Sequence, residues 1–155
     1  LKSYSLYLDS MAKWYENNVS ADWMPLRNRI MHLLQEEAEL DEIVRLVGMD
    51  ALNAHDRMKL EAARSIRQDA FHEVDTYASL KKQCIMMRLV LDYFDMATAA
   101  LDEGCNANKL INLSARENIG RIKYVPEDKV EAEYENIKDM ISKEIAQIKS
   151  TDEEI

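Results

Sequence analysis

The sequence predicts an all-α fold, a helical bundle that includes a helix-loop-helix hairpin. Of the 155 residues, 47% are hydrophobic and 32% charged, but only three are glycine and two proline, too few for the turns of a sheet protein. Apolar residues recur three and four apart over long stretches, as on one face of a helix. The interruptions fall at residues that cap or stop helices. The length suits one compact domain, residues 1–155, with a sizeable core, either as a unit or as the terminal piece of a larger protein.

The first helix is expected within residues 6–19, where Leu8, Met11, Trp14 and Tyr15 share a face and Asn17 and Asn18 mark the exit. Ser20 or Asp22 can cap a second, and Pro25, lacking an amide donor, is tolerable because it falls in the first turn. Trp23, Leu26, Ile30, Leu33 and Leu34, resumed at Leu40, Ile43, Val44 and Val47, keep helical spacing. The acidic run Glu36, Glu37, Glu39 between them is read as a kink or short break. Gly48 is placed to close this helix, since glycine takes the left-handed conformation without steric cost. Asn53, with Asp56 three residues on, resembles a capping box for a helix from 54 to about 68. Residues 45–67, "RLVGMDALNAHDRMKLEAARSIR", are therefore a helix hairpin.

A long helix starts near Ser79, with Leu80, Cys84, Met87, Leu91, Phe94, Thr98 and Leu101 along roughly 33 Å of one face, and Gly104 ends it. A shorter helix is expected around "NLSARENIGRIKY". Pro126 then opens the last helix, with Val130, Tyr134, Ile137, Ile141, Ile145 and Ile148 on one side, and residues 151–155 form a frayed tail.

Several function classes lose ground at once. A net charge of −9 disfavours nucleic acid and anionic lipid as partners. No apolar run approaches the roughly 20 residues that cross a bilayer, so no membrane insertion is expected. Cys84 and Cys105 lack the spacing of a zinc site or disulfide framework and read as reduced thiols. His72, Glu73 and Asp75 in "FHEVD" read as a polar loop or helix cap ahead of a metal site. His32 reads as a packed or surface residue, Met86 and Met87 as core filling, and neither a nucleophile elbow nor a phosphate loop occurs, so no catalytic residue is expected. The basic excess Arg57, Lys59, Arg64 and Arg67 has two readings, pairing within a solvated helix or docking onto an acidic partner. Phe71 also has two, a core residue or an aromatic that stacks on a planar ligand such as adenine.

The stretches "SYSLYLD", "LLQEEAELDEIVRLVGMDAL", "AFHEVDTYASLKKQ" and "RIKYVPED", in that order along nearly the whole chain, resemble the carboxy-terminal helical domain of the catalytic alpha chain of archaeal A-type and related V-type rotary ATPases. The second stretch also resembles the part of the F-type β subunit that reaches the rotating central stalk. The resemblance implies that the hairpin is a helix-loop-helix lever with a rotor-contacting tip at Gly48, Met49, Asp50, Ala51, Leu52, Asn53, Ala54, His55, Asp56 and Arg57. The F-type tip is strongly acidic; here Asp50 and Asp56 stand among neutral, apolar and basic residues, which leaves two readings, a push through the charges of Asp50, Asp56 and Arg57 or steric pushing by a shaped helix pair. The resemblance makes residues 1–8 the join to an upstream nucleotide-binding domain and Phe71 an edge of the adenine pocket. A short segment that the family carries between the equivalents of Asp69 and Ala70 has no counterpart here.

The same resemblance implies B subunits and the central rotor stalk as partners. ATP or ADP with magnesium would bind the intact catalytic chain, not this piece alone. The complex would couple ATP synthesis or hydrolysis to proton or sodium transport, with the catalytic chain cytoplasmic and peripheral to the cell membrane. The other reading is a stand-alone helical interaction module, binding through the basic helix or an apolar groove, which requires no upstream ATPase domain.

Overall fold

The computed structural model describes residues 23–67 and 80–153. The expected first helix, the caps at Ser20 or Asp22, Phe71 and the "FHEVD" cluster lie outside the described residues. No strand occurs among the described residues. They form α1 (Trp23–Val47), α2 (Ala54–Ser65), α3 (Leu80–Asp102), α4 (Ala107–Ile111), α5 (Glu117–Gly120) and α6 (Val130–Glu153). Short 3-10 turns lie at Met49–Ala51, Ser114–Arg116, Arg121–Tyr124 and Glu127–Lys129.

α1 packs on α2, α2 on α3, and α3 on α6. The main core threads all four, from Ile30, Leu33 and Leu34 through Met58, Ala62 and Ile66 to Met87, Val90 and Tyr93, and on to Ile137, Ile141 and Ile145. Most of the positions that the three-four spacing selects are among them, so the periodicity on α3 and α6 translates directly into packing. Met86 and Met87 are buried, as core filling requires. Both cysteines are buried, and burial pushes the Cys84 thiol up to about 12. A second, smaller apolar cluster sits at the far end of the hairpin: Leu40, Leu52 and Leu60, with Val44 against them.

The acidic run does not break the helix, and this corrects the reading of Glu36, Glu37 and Glu39: α1 is continuous from Trp23 to Val47. Glutamate is itself a good helix former, and two of these three meet cations across the hairpin. Glu36 lies 3.4 Å from Lys59, Glu37 lies 3.1 Å from Arg67, and farther along the helix Asp41 lies 3.7 Å from Arg64. The acidic partner of these three basic side chains is thus α1 itself, and the charge excess of one helix answers that of the other.

Within that ladder the Glu37 side chain is only 3% exposed, and its pKa is raised, by burial first, with Arg67 opposing the shift. A carboxyl whose folded pKa exceeds its unfolded value takes up its proton in the native state before the unfolded one does. Its charge therefore costs stability above the folded pKa, and that cost fades as pH falls toward 4.5. Chemical denaturation of the parent and Glu37→Gln at neutral pH and near pH 4.5 checks this: the parent gains stability relative to the variant on acidification. A constant difference would place Glu37 in an unshifted environment.

The stretch between α3 and α6 turns where Gly104 (φ +99°) terminates α3. Asn106 caps α4, a helix the periodicity does not announce, by accepting from the amides of Asn108 (2.8 Å) and Lys109 (3.3 Å). The expected helix over "NLSARENIGRIKY" is instead a 3-10 turn, the short α5 and a second 3-10 turn. Its ends are tightened by outside partners. Glu144 of α6 accepts from the amides of Ser114 (3.1 Å) and Ala115 (2.9 Å) and from the Ser114 hydroxyl (2.5 Å). Lys82 of α3 donates to the Lys123 carbonyl at 3.0 Å. Pro126 precedes the 3-10 turn that leads into α6, and α6 continues through Thr151, whose hydroxyl donates to the Gln147 carbonyl (2.9 Å), to Glu153.

Candidate functional site

The hairpin connecting α1 to α2 is built by three local devices. Gly48 donates to the Val44 carbonyl (2.9 Å) and adopts φ +94°, ψ 168°, a conformation essentially reserved for glycine, so the chain turns sharply there. The 3-10 turn follows, with Leu52 donating to the Met49 carbonyl at 3.1 Å. Asn53 then starts α2 by accepting from the Asp56 amide at 2.8 Å, the contact its spacing predicts.

The structure divides the predicted tip, residues 48–57, into an outward part and a part turned inward. Met49, Asp50 and Ala51 are exposed. Leu52 is buried in the small cluster with Leu40 and Leu60, so it pins the loop to the stem. His55 and Arg57 point to the body of the domain. His55 Nε2 lies 2.8 Å from Asp102 Oδ1 at the end of α3, and Arg57 donates to Asn108 Oδ1 of α4 at 2.6 Å. Ala54 and Asp56 are half-buried, and Asn53 is spent on its cap.

The outward surface instead extends backward along α1. Ile43 and Val47, which keep the helical spacing of Leu40 and Val44, are nonetheless exposed; Leu46 between them is 75% exposed and Val47 69%. Only Leu40 and Val44 of this end face α2. The apolar arc of the last turns of α1 is wider than the strip that the hairpin covers. Sequence periodicity marks only one stripe; the adjacent Leu46 and Val47, too many apolar residues for it, were the available signal for the second.

The stems behind the tip are anchored. Arg29 of α1 makes two hydrogen bonds to Asp95 of α3, at 3.0 and 2.5 Å. Arg116 reaches α2, where it donates to Ser65 Oγ at 2.5 Å and lies 3.6 Å from Glu61; it also donates to the Ile111 carbonyl and stacks 4.8 Å from the Tyr93 ring centroid. Tyr93 in turn donates to the Leu110 carbonyl at 2.8 Å, its phenol pushed up to about 12, first by burial. None of these residues is assigned a role by sequence pattern, because each acts through a partner far away in the chain.

Among the described residues, no group of three or more His, Cys, Asp or Glu side chains could hold a metal ion, and no helix is long and apolar enough to cross a membrane. An open groove between α4 and α6 is lined by Asn108, Asn112, Gln147 and Glu144, but Glu144 is committed to holding the Ser114 turn. What the described residues offer is a helix hairpin braced to the body, with an exposed apolar end.

Comparison with known proteins bears on what such a hairpin belongs to. The family described as the C-terminal domain of V and A type ATP synthase matches residues 12–111. The V-type ATP synthase alpha chain of Acetivibrio thermocellus is 51% identical over 150 residues, covering 94% of this chain and 26% of that protein. That of Clostridium botulinum is 54% identical over 136 residues, 84% of this chain and 23% of the relative. The corresponding A-type ATP synthase chain of Methanosphaera stadtmanae is 48% identical over 149 residues, 93% of this chain and 26% of the relative. The chain thus spans about a quarter of the length of these relatives.

Proposed function

Because the chain belongs to the family of C-terminal domains of V- and A-type ATP synthases, we propose that it is the coupling end of a catalytic alpha chain. Nucleotide chemistry, with ATP or ADP and magnesium, belongs on this reading to the upstream part of the intact chain. The domain described above carries motion from there to the central rotor stalk, in a ring shared with B subunits, at the cytoplasmic surface of the membrane. ATP hydrolysis drives proton or sodium transport, and transport drives synthesis.

The observation that supports this best is the architecture of the hairpin. Its stems are rooted in the main core and tied by the cross-hairpin ion pairs, while its far end presents Met49, Asp50 and Ala51 outward. A lever needs a stiff shaft and a free end. His55 and Arg57, held by Asp102 and Asn108, brace the loop to the body so that a push at the tip is delivered to the whole domain. The basic helix is largely occupied in the same bracing, which removes the main support for a separate interaction module.

The test is a cysteine at Met49 in the assembled enzyme, paired with cysteines along the central stalk. Oxidation is expected to form a disulfide that stops ATP hydrolysis and is released by reductant. If no stalk position forms a disulfide in any nucleotide state, the lever assignment is wrong. Phe71 remains our candidate for the adenine edge, by the family resemblance. Phe71→Ala in the intact catalytic chain is expected to weaken ATP binding about tenfold, the worth of one aromatic stacking contact. Unchanged affinity in a nucleotide titration would leave Phe71 a packing residue.

A further inference from the structure

The exposed end of α1 also defines what can sit on it. Ile43, Leu46 and Val47 stand at i, i+3 and i+4, so they form one ridge, and Met49, past the bend, is exposed as well. The adjoining edge of the same apolar arc, Leu40 and Val44, is already packed on α2 and Leu52. An apolar arc wider than the strip its own chain covers is normally buried by something else. Around the ridge, exposed charges are mostly negative: Glu39, Glu42 and Asp50 against the single guanidinium of Arg45. Asp41 is turned away, toward Arg64.

We propose that this ridge docks an α-helix of another subunit of the synthase whose apolar strip is flanked by lysine or arginine. The proposal rests on the reading of the tip as the contact end of an ATP synthase subunit and gives that contact its chemistry. Ridge spacing of this kind packs into the grooves between side chains of a facing helix. The acidic border selects a basic flank and orients the approach, while the apolar ridge, dry once covered, holds the contact. The contact therefore does not depend on a dense acidic tip.

The experiment places benzoylphenylalanine at position 46 of the chain in the intact ATP synthase and identifies the photo-adduct by mass spectrometry. The expected adduct lies on another subunit, in a segment with apolar residues three and four apart and lysine or arginine beside them. An adduct on this chain itself, on lipid, or on an acidic or wholly polar segment overturns the proposal. The lever reading can fail separately. An adduct of the expected chemistry on a subunit that does not rotate removes the rotor as partner and keeps the docking helix, whereas an adduct on an acidic segment of the rotor does the reverse.

A second measurement separates ridge from border through the yield of the Met49-cysteine crosslink to whichever subunit carries the adduct. Leu46→Ser with Val47→Ser is expected to lower that yield about tenfold at every salt concentration. Glu39→Gln with Glu42→Gln is expected to lower it only at low salt, the difference vanishing near 0.5 M, where the screening length is about 4 Å. Full yield from the serine pair, or a salt-independent loss from the glutamine pair, contradicts the proposal. All four positions are exposed, so the variants leave the core intact.

Discussion

Arg116→Ala lowers the stability of the chain by about 3–4 kcal/mol, a fall in Tm of roughly 10 °C. The size follows from what is left behind. The Arg116 side chain is 18% exposed, and its guanidinium serves four groups on three elements: Ser65 and Glu61 of α2, the Tyr93 ring of α3 and the Ile111 carbonyl of α4. Removing it leaves Glu61 with Arg64, 3.8 Å away, as its remaining cation, takes a donor from Ser65 and from a backbone carbonyl, and removes a cation from over an aromatic face, together a loss of about 3 kcal/mol. Arg116→Lys recovers less than half of the loss, because an ammonium cannot present a planar fork to Ser65 and Ile111 while lying flat on Tyr93. Urea unfolding of the three proteins decides this: a midpoint shift in the alanine variant worth under about 1 kcal/mol would mean that the contacts are not coupled through this residue.

The loss also reaches the hairpin, since Glu61 and Ser65 are on α2. Arg116 and the Arg29–Asp95 pair are polar ties between stems and body, alongside the shared apolar core. With Arg116 absent, α2 keeps its packing on α3 but loses the fixed point at its C-terminal end.

Local features of the fold could be read from the chain because their causes are local. Gly48 and Asn53 announce a helix stop and a helix start by their own conformational preferences, and both do so in the structure. The stripes on α3 and α6 announce their buried faces for the same reason. Features that depend on a partner distant in sequence were not legible. Glu37 looks like a solvated acid until Arg67 faces it across the hairpin. Ser114 and Glu144 are unremarkable until a turn is capped by a helix 30 residues away. The exposure of the candidate site was only partly legible. Ile43 and Val47 keep the spacing of Leu40 and Val44, but α2 covers only Leu40 and Val44 at this end of α1, so the outward surface begins one turn earlier than the loop.

That division of the hairpin sets up the second large effect, Leu60→Ala. Leu60 is fully buried, but in the small cluster with Leu40, Leu52 and Val44 rather than in the main core. Truncation leaves a cavity costing about 2–4 kcal/mol. Because this cluster is closed at one end by the loop itself, the cost is met by loosening the tip, not by global unfolding. Hydrogen exchange is expected to lose protection in residues 40–60 and to keep it in α3 and α6. Met58→Ala is the control: Met58 is equally buried, two residues away on the other face of α2, but belongs to the main core, so its loss spreads through the bundle. On the proposed lever function, a loosened tip in the assembled enzyme would still permit nucleotide chemistry upstream but transmit less of the push. Leu60→Ala is therefore expected to retain ATP hydrolysis while ion transport per ATP falls several-fold, a separation Met58→Ala does not produce. Equal losses of hydrolysis and transport in both variants would show that the hairpin end is no separate packing unit, and the lever would then have to be sought in the bundle as a whole.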